Sequence, residues 1–272
     1  MSADSRPRIV VWLDPTAPQQ AALQALAGLG AATEILGLFV EDADLLDVSR
    51  LSVAREITWD EQTARKMDER RTEQQFRVHG ARMRSLFEAT ARKITTRHSF
   101  RVARGVLRNE LLKISADYDT LVLTHSRRHF GPRLTIRAQL DDLLSRGPGT
   151  LVFVQERWLV GERIVVLFDG SPESDIALRA GAAMAASAHL ALAVWVPEEH
   201  RDELEQQAAQ ALDEPKRCTF RTVAADDVEA LGRLADADDA RVLVLPGTDA
   251  ARTRERVAGL LDRASCSVIV VR

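Results

Sequence analysis

The sequence predicts an α/β fold: two tandem, open, five-stranded and mostly parallel sheets flanked by helices, paired about a pseudo-twofold axis. Three observations carry this. Apolar runs rich in β-branched residues alternate with helical stretches along the chain, as in a doubly wound sheet with right-handed crossovers. The stretch RIVVLFDGSPESDIALRAG at 163–181 has an earlier copy, RIVVWLDPTAPQQAALQAL, at 8–26. In each, an apolar run is closed by an aspartate (Asp14, Asp169) and a turn, then followed by a helix, which is how a buried parallel strand feeds a βα unit. Finally, both halves close on similar segments, LLSRGPGTLVFV and LLDRASCSVIVV. A tandem duplication follows.

The first half spans 1–156. Strand one is read at 9–13, helix one at 17–28 and strand two at 34–40. After the acidic turn 41–44 comes a long region in which 60–94 is read as one inserted helix. Phe76, Met83, Phe87 and Ile94 recur at helical spacing, so its C-terminal part should lie on the sheet. Its N-terminal part offers only Ala64 and Met67 to a core. It reads either as a solvated helix face or as a contact with another subunit in a homodimer. Strand three falls near 99–103, helix four at 107–116, strand four at 120–124, helix five at 136–146 and strand five at 151–154.

The second half, 163–272, repeats the order. Strands are read at 164–168, 190–196, 218–223, 242–245 and 267–271, and helices at 173–186, 201–212, 228–235 and 253–263. Val40 matches Val196 while Phe100 matches Phe220, so the halves differ chiefly between strands two and three. The connecting segment 156–162 is too short to be a flexible tether, so the halves should pack together. Their last strands, 151–154 and 268–271, are short apolar edges that are expected to pair, because exposed edges of this kind aggregate.

Composition narrows the function classes. With 272 residues, 46% hydrophobic and 28% charged, the chain is of ordinary globular type with a core in each half. A net charge of −3 gives no electrostatic case for nucleic acid. It conceals an asymmetry: residues 1–156 hold 23 Lys/Arg against 20 Asp/Glu, and 157–272 hold 14 against 20. Cys218 and Cys266 have no metal-type spacing and read as buried thiols in a reducing compartment. The first strand begins at Arg8, which leaves no room for a signal peptide. No apolar run approaches the ~20 residues of a membrane span, so membrane insertion is not expected and the expected location is cytoplasmic.

With these residues in place, both halves resemble the universal stress protein family. The resemblance rests on Asp169-Gly170-Ser171 after the opening strand and on strand two ending in Val-Glu-Asp or Val-Pro-Glu. It rests also on the closing helix and strand of each half, and it covers nearly the whole chain except the long helix. It implies an adenine-nucleotide-hydrolase-like fold with ATP at the carboxyl ends of the strands. The aspartate after strand one and the end of strand two would hold adenine and ribose. A Gly-x2-Gly-x9-Gly-Ser/Thr loop after strand four would cradle the phosphates on converging backbone N–H groups. The resemblance further implies pairing of the two halves in the manner of family dimers.

The sequence departs from that pattern at the loop. After strand four the first half reads His125-Ser126-Arg127-Arg128-His129-Phe130-Gly131-Pro132, and the second reads Pro246-Gly247-Thr248-Asp249, each with one glycine. Both ATP sites are therefore read as degenerate. The nucleotide-binding candidates that remain are Asp169, Gly170, Ser171, Val196 and Gly247, with Asp14 and Val40 in the first half. Asp169 alternatively is a turn carboxylate at the start of helix one.

Arg127, Arg128 and Arg133, with Arg137 nearby, form an anion-binding candidate through charge-assisted contacts, or a solvated or domain-pairing loop. His125 and His129 stand four apart but on a strand end and loop with no third ligand, so no metal is assigned. No serine elbow, Walker A lysine, Rossmann glycine triplet or zinc-protease pair is present, so no catalytic residue is assigned and the chain is read as no enzyme. The expected function is a non-catalytic stress-response regulatory or interaction module without a cofactor, acting on an unknown protein partner. The alternative is an ATP or AMP switch with a non-standard site, mainly in the second half.

Overall fold

The structure, a computed structural model, describes residues 7–14, 19–29, 32–51, 53–57, 64–95, 97–124, 140–155, 158–212 and 218–272. In the first half the order is β1 (Arg8–Trp12), α1 (Gln19–Gly28), β2 (Glu34–Asp42), α2 (Ala43–Ser49), β3 (Arg55–Ile57), β4 (Ala64–Lys66) and α3 (Glu69–Ile94). Then come β5 (His98–Gly105), α4 (Leu107–Ser115), β6 (Thr120–Thr124), α5 (Leu140–Arg146) and β7 (Thr150–Val154). The second half contains β8 (Arg163–Leu167), α6 (Pro172–Ala188), β9 (Ala191–Pro197), α7 (Arg201–Ala211) and β10 (Cys218–Val223). It closes with α8 (Val228–Ala237), β11 (Ala240–Pro246), α9 (Ala250–Arg263) and β12 (Ser267–Val271).

The two five-stranded halves join edge to edge in one sheet, ordered β10-β9-β8-β11-β12-β7-β6-β1-β2-β5. Within each half all strand pairs are parallel. The seam between β7 and β12 is antiparallel, as expected for the two closing strands. Its register places Ile269 opposite Val152, with Val270 on Leu151 and Val268 on Phe153 to either side. Val152 and Ile269 are equivalent residues of the two copies, so the pseudo-twofold axis passes through this pair.

Alternation along the strands divides the core into two faces. Ile9, Val11, Val152, Val166 and Ile269 point toward α1, α3, α6 and α7. Val10, Leu121, Leu151, Val165 and Val270 point toward α4, α5, α8 and α9. Each face draws residues from both halves, so the core is continuous across the seam. Equivalent helices share a face, which makes the pseudo-axis normal to the sheet. The short connecting segment is pinned as well: Trp158 is buried, and its ring lies against Gly28.

The inserted region differs from the single helix expected at 60–94. Ala64–Lys66 is a strand antiparallel to Arg55–Ile57, and α3 begins only at Glu69, after Asp68 in extended conformation. The reason is patterning. From Thr72 onward, Phe76, Gly80, Met83, Phe87 and Ala91 form a buried stripe. Before it no apolar stripe ties a helix to the sheet, and propensity alone seldom holds one. The extra length of the first half is thus α2, a hairpin and a 26-residue helix, where the second half has the 11-residue α7.

Candidate functional site

In each half the first strand is flanked by the second strand on one side and the fourth on the other. The connections leaving strands one and four diverge there, which opens a crevice at the carboxyl ends of β8 and β11, and of β1 and β6. This crevice is where the sequence-derived candidates were expected to meet.

In the second half the chain's own groups occupy it. Asp169 Oδ1 accepts from the Ser171 backbone N–H at 3.1 Å and from the Ser171 hydroxyl at 2.5 Å. Ser171 Oγ in turn accepts from Ser174 N–H at 3.1 Å as the N-cap of α6. Gly170 takes a positive φ of 80°, and a Cβ there would come within 2.8 Å of Leu204 and 3.3 Å of Gln207. The turn is therefore closed under α7, and Asp169 serves the helix start. Val196 is fully buried in β9, paired with Thr222.

On the β11 side, Gly247 is bonded into the sheet. Gly247 donates its N–H to Val271 O at 2.7 Å, which extends the ladder past the end of β11. A Cβ on Gly247 would meet the Arg272 side chain at 2.6 Å and Val270 at 3.1 Å. This glycine serves close packing and has no free donor for an anion. The helix then starts three residues earlier than its predicted start at 253, because Asp249 Oδ1 accepts from Arg252 N–H at 2.7 Å and caps α9. Only residues 247–249 connect β11 to α9.

Arg256 is a further residue near this site that the sequence reading passed over. It stands on the buried face of α9 beside Thr253, Val257 and Leu260, only 6% exposed. Its guanidinium lies 3.5 Å from Asp226, which Arg252 approaches to 3.7 Å. Burial lowers the Arg256 pKa, and the charges of Asp226 and Asp169 partly restore it. A charged residue inside the apolar stripe of a predicted helix was the available signal.

The first half differs. Asp14 is half-buried at the end of β1, and Val40 is buried in β2 opposite Ala103. Thr124, at the carboxyl end of β6, is 3% exposed, and its hydroxyl has no hydrogen-bond partner among the described residues. The stretch 125–139 that follows, with His125, Arg127, Arg128, His129, Arg133 and Arg137, lies outside the described residues. Among the described residues no three potential ligands converge as a metal site, and no helix is long and apolar enough to cross a membrane. A shallow groove of about 550 Å³ runs instead along α3, lined by Arg70, Glu73, Gln74, Arg77 and Val78.

A doubly wound five-stranded unit, duplicated and joined through its last strands, defines the universal stress protein fold, and the solved structures agree. A universal stress protein from Archaeoglobus fulgidus DSM 4304 is similar over 98% of this chain and 97% of its own, with a TM-score of 0.67 and 12% identity. A functionally unknown protein from Pseudomonas aeruginosa PAO1 is similar over 97% and 92%, with a TM-score of 0.58 and 16% identity. Comparison with protein-family models gives no match, and neither does comparison with curated proteins. At these identities the likeness carries the fold and leaves ligand and activity open.

Proposed function

We propose that this chain is a non-catalytic stress-response module that works by binding another macromolecule, with its second-half nucleotide crevice filled by its own side chains. The observation that carries the reading is the three-residue connection from β11 to α9. A phosphate cradle needs several backbone N–H groups free to converge. Here Gly247 N–H belongs to Val271, and Asp249 has been turned to helix capping. The Arg256 guanidinium is already engaged by Asp226.

The test is thermal stability with and without ATP, ADP or AMP. A ligand present at about 100 times its Kd raises stability by about 2.7 kcal/mol. The expected result is no shift and no phosphate release from ATP.

One observation favours a second reading, a nucleotide switch centred on the first half instead of the second. The buried Thr124 hydroxyl has no partner among the described residues at the end of β6, and Asp14 stands just past the end of the adjoining β1. An unsatisfied buried hydroxyl calls for an explanation, and a ligand oxygen would provide one. A thermal shift with AMP or ATP that both Thr124→Val and Asp14→Ala remove would select this reading.

A further inference from the structure

The two ends of the ten-stranded sheet are oppositely charged. At one end lies β5 with α3 packed over it; among the described residues the outer edge of β5 is unpaired. α3 carries seven Arg/Lys against three Glu. Its acidic residues are already engaged: Glu69 with Arg50, Glu73 with Arg77 and Arg104, and Glu88 with Arg92. Arg70, Arg71, Arg82 and Lys93 are exposed and in no ion pair with a described residue. Val78 and Val102 stand exposed among these cations, 59% and 43% accessible.

At the other end, β10 is likewise unpaired along its outer edge among the described residues, with α7 packed on the adjoining β9. The turn Glu198–His200 and α7 together carry Glu198, Glu199, Asp202, Glu203 and Glu205 against one arginine, Arg201, which pairs with Glu205. The four remaining carboxylates are exposed.

The pseudo-axis is normal to the sheet, so α3 and α7 lie on the same face and β5 runs antiparallel to β10. Translating a copy of the chain along the sheet therefore brings its β10 edge, antiparallel, beside β5 of the first and sets its acidic α7 next to the basic α3. The junction would repeat the antiparallel relation already present between β7 and β12. A twofold contact between two β5 edges would instead set α3 against α3, and two β10 edges would set α7 against α7. Both oppose like charges.

We propose that the α3–β5 end binds the α7–β10 end of a second copy, head to tail. A heterologous contact of this kind extends head to tail, as an open filament unless its rotation closes a ring. Opposite charges across it speed encounter and disfavour the like-with-like alternatives.

Sedimentation velocity of the full chain at about 20 mM and about 0.5 M salt is the first measurement, since screening at the higher salt confines such charges to contacts of a few ångströms. Concentration-dependent association, at least tenfold weaker in high salt, is expected. A monomer at every concentration in low salt, or association indifferent to salt, overturns the proposal.

The second measurement uses two variants: Arg70→Glu/Arg71→Glu/Arg82→Glu/Lys93→Glu, and Glu198→Lys/Glu199→Lys/Asp202→Lys/Glu203→Lys. Each keeps one intact end, so each should be monomeric alone. Their mixture should regain association, because the basic α3 of the second variant meets the acidic α7 of the first and the two reversed ends are again opposite in charge. Association of either variant alone, or failure of the folded pair to associate, overturns the proposal. So does basic-end binding to heparin without any self-association of the wild type.

Discussion

Gln155 and Arg272 are the first residues after the closing strands of the two halves, and each caps the last helix of the other half. Gln155 Nε2 donates to Ala264 O at 3.1 Å and Leu261 O at 3.4 Å, at the end of α9. The Arg272 guanidinium donates to Pro148 O at 2.9 Å and to Leu144 O and Gly147 O, at the end of α5. Leu144 is related to Leu261, and Gly147 to Ala264, by the same offset that relates Gln155 to Arg272. Helix carbonyls that would otherwise be orphaned are thus satisfied reciprocally across the seam.

Removing either cap should destabilise both halves together. Gln155→Ala leaves buried carbonyls without a donor and should cost about 1–3 kcal/mol in urea unfolding. Arg272→Ala should cost a similar amount. Arg272→Lys should recover only part of it, because one ammonium cannot fan across three carbonyls as a guanidinium does. Unchanged urea midpoints in the alanine variants would remove the caps from this description.

Gly247 separates a packing role from a ligand role. Gly247→Ala drives a methyl into Arg272 and Val270, and overpacking of this kind costs about 1–3 kcal/mol. The measurement is the denaturation midpoint without any nucleotide. A variant as stable as the wild type would return Gly247 to the list of candidate anion donors.

Ser171 should behave as a helix cap. Ser171→Ala removes the acceptor for Ser174 N–H and is expected to cost about 0.5–2 kcal/mol. Far-ultraviolet circular dichroism during thermal unfolding reads this directly, and Ser171→Asp should recover most of the loss.

The Cys218 thiol has its pKa raised above its ordinary value, chiefly by burial. At neutral pH its thiolate fraction is then below that of the unfolded chain, so alkylation by iodoacetamide should be slower in native than in urea-unfolded protein. The gap should narrow as pH rises toward the raised folded value. By linkage, the stability from the protonated thiol is complete below the unfolded pKa and lost as pH rises through the folded one. Equal alkylation rates in both states at neutral pH would contradict this placement.

Much of the fold was legible because both halves repeat the same strand run, and period-two burial fixes which side of each strand faces which helices. The closing strands at 151–154 and 267–271 even identified their own partners. The insert was less legible. Helix-forming residues at 60–68 match a helix locally, but Ala64–Lys66 pairs instead with Arg55–Ile57, seven to eleven residues earlier, and a three-residue strand leaves no periodic trace. At the crevice, the aspartates and glycines were found but their roles were not. Whether Gly247 N–H meets a phosphate or Val271 O depends on where β12 ends, and whether Asp249 repels an anion or caps a helix depends on where α9 starts. Arg256 was legible as a charge inside the apolar stripe of the helix at 253–263, and its burial against Asp226 gives that signal its meaning.

Calorimetric titration of the full chain with ATP tests most directly the claim that the crevice between β8 and β11 is filled from within. No saturable heat is expected up to about 1 mM ATP, ADP or AMP, in the wild type and in Asp169→Ala alike. A micromolar isotherm that Asp169→Ala abolishes would contradict it.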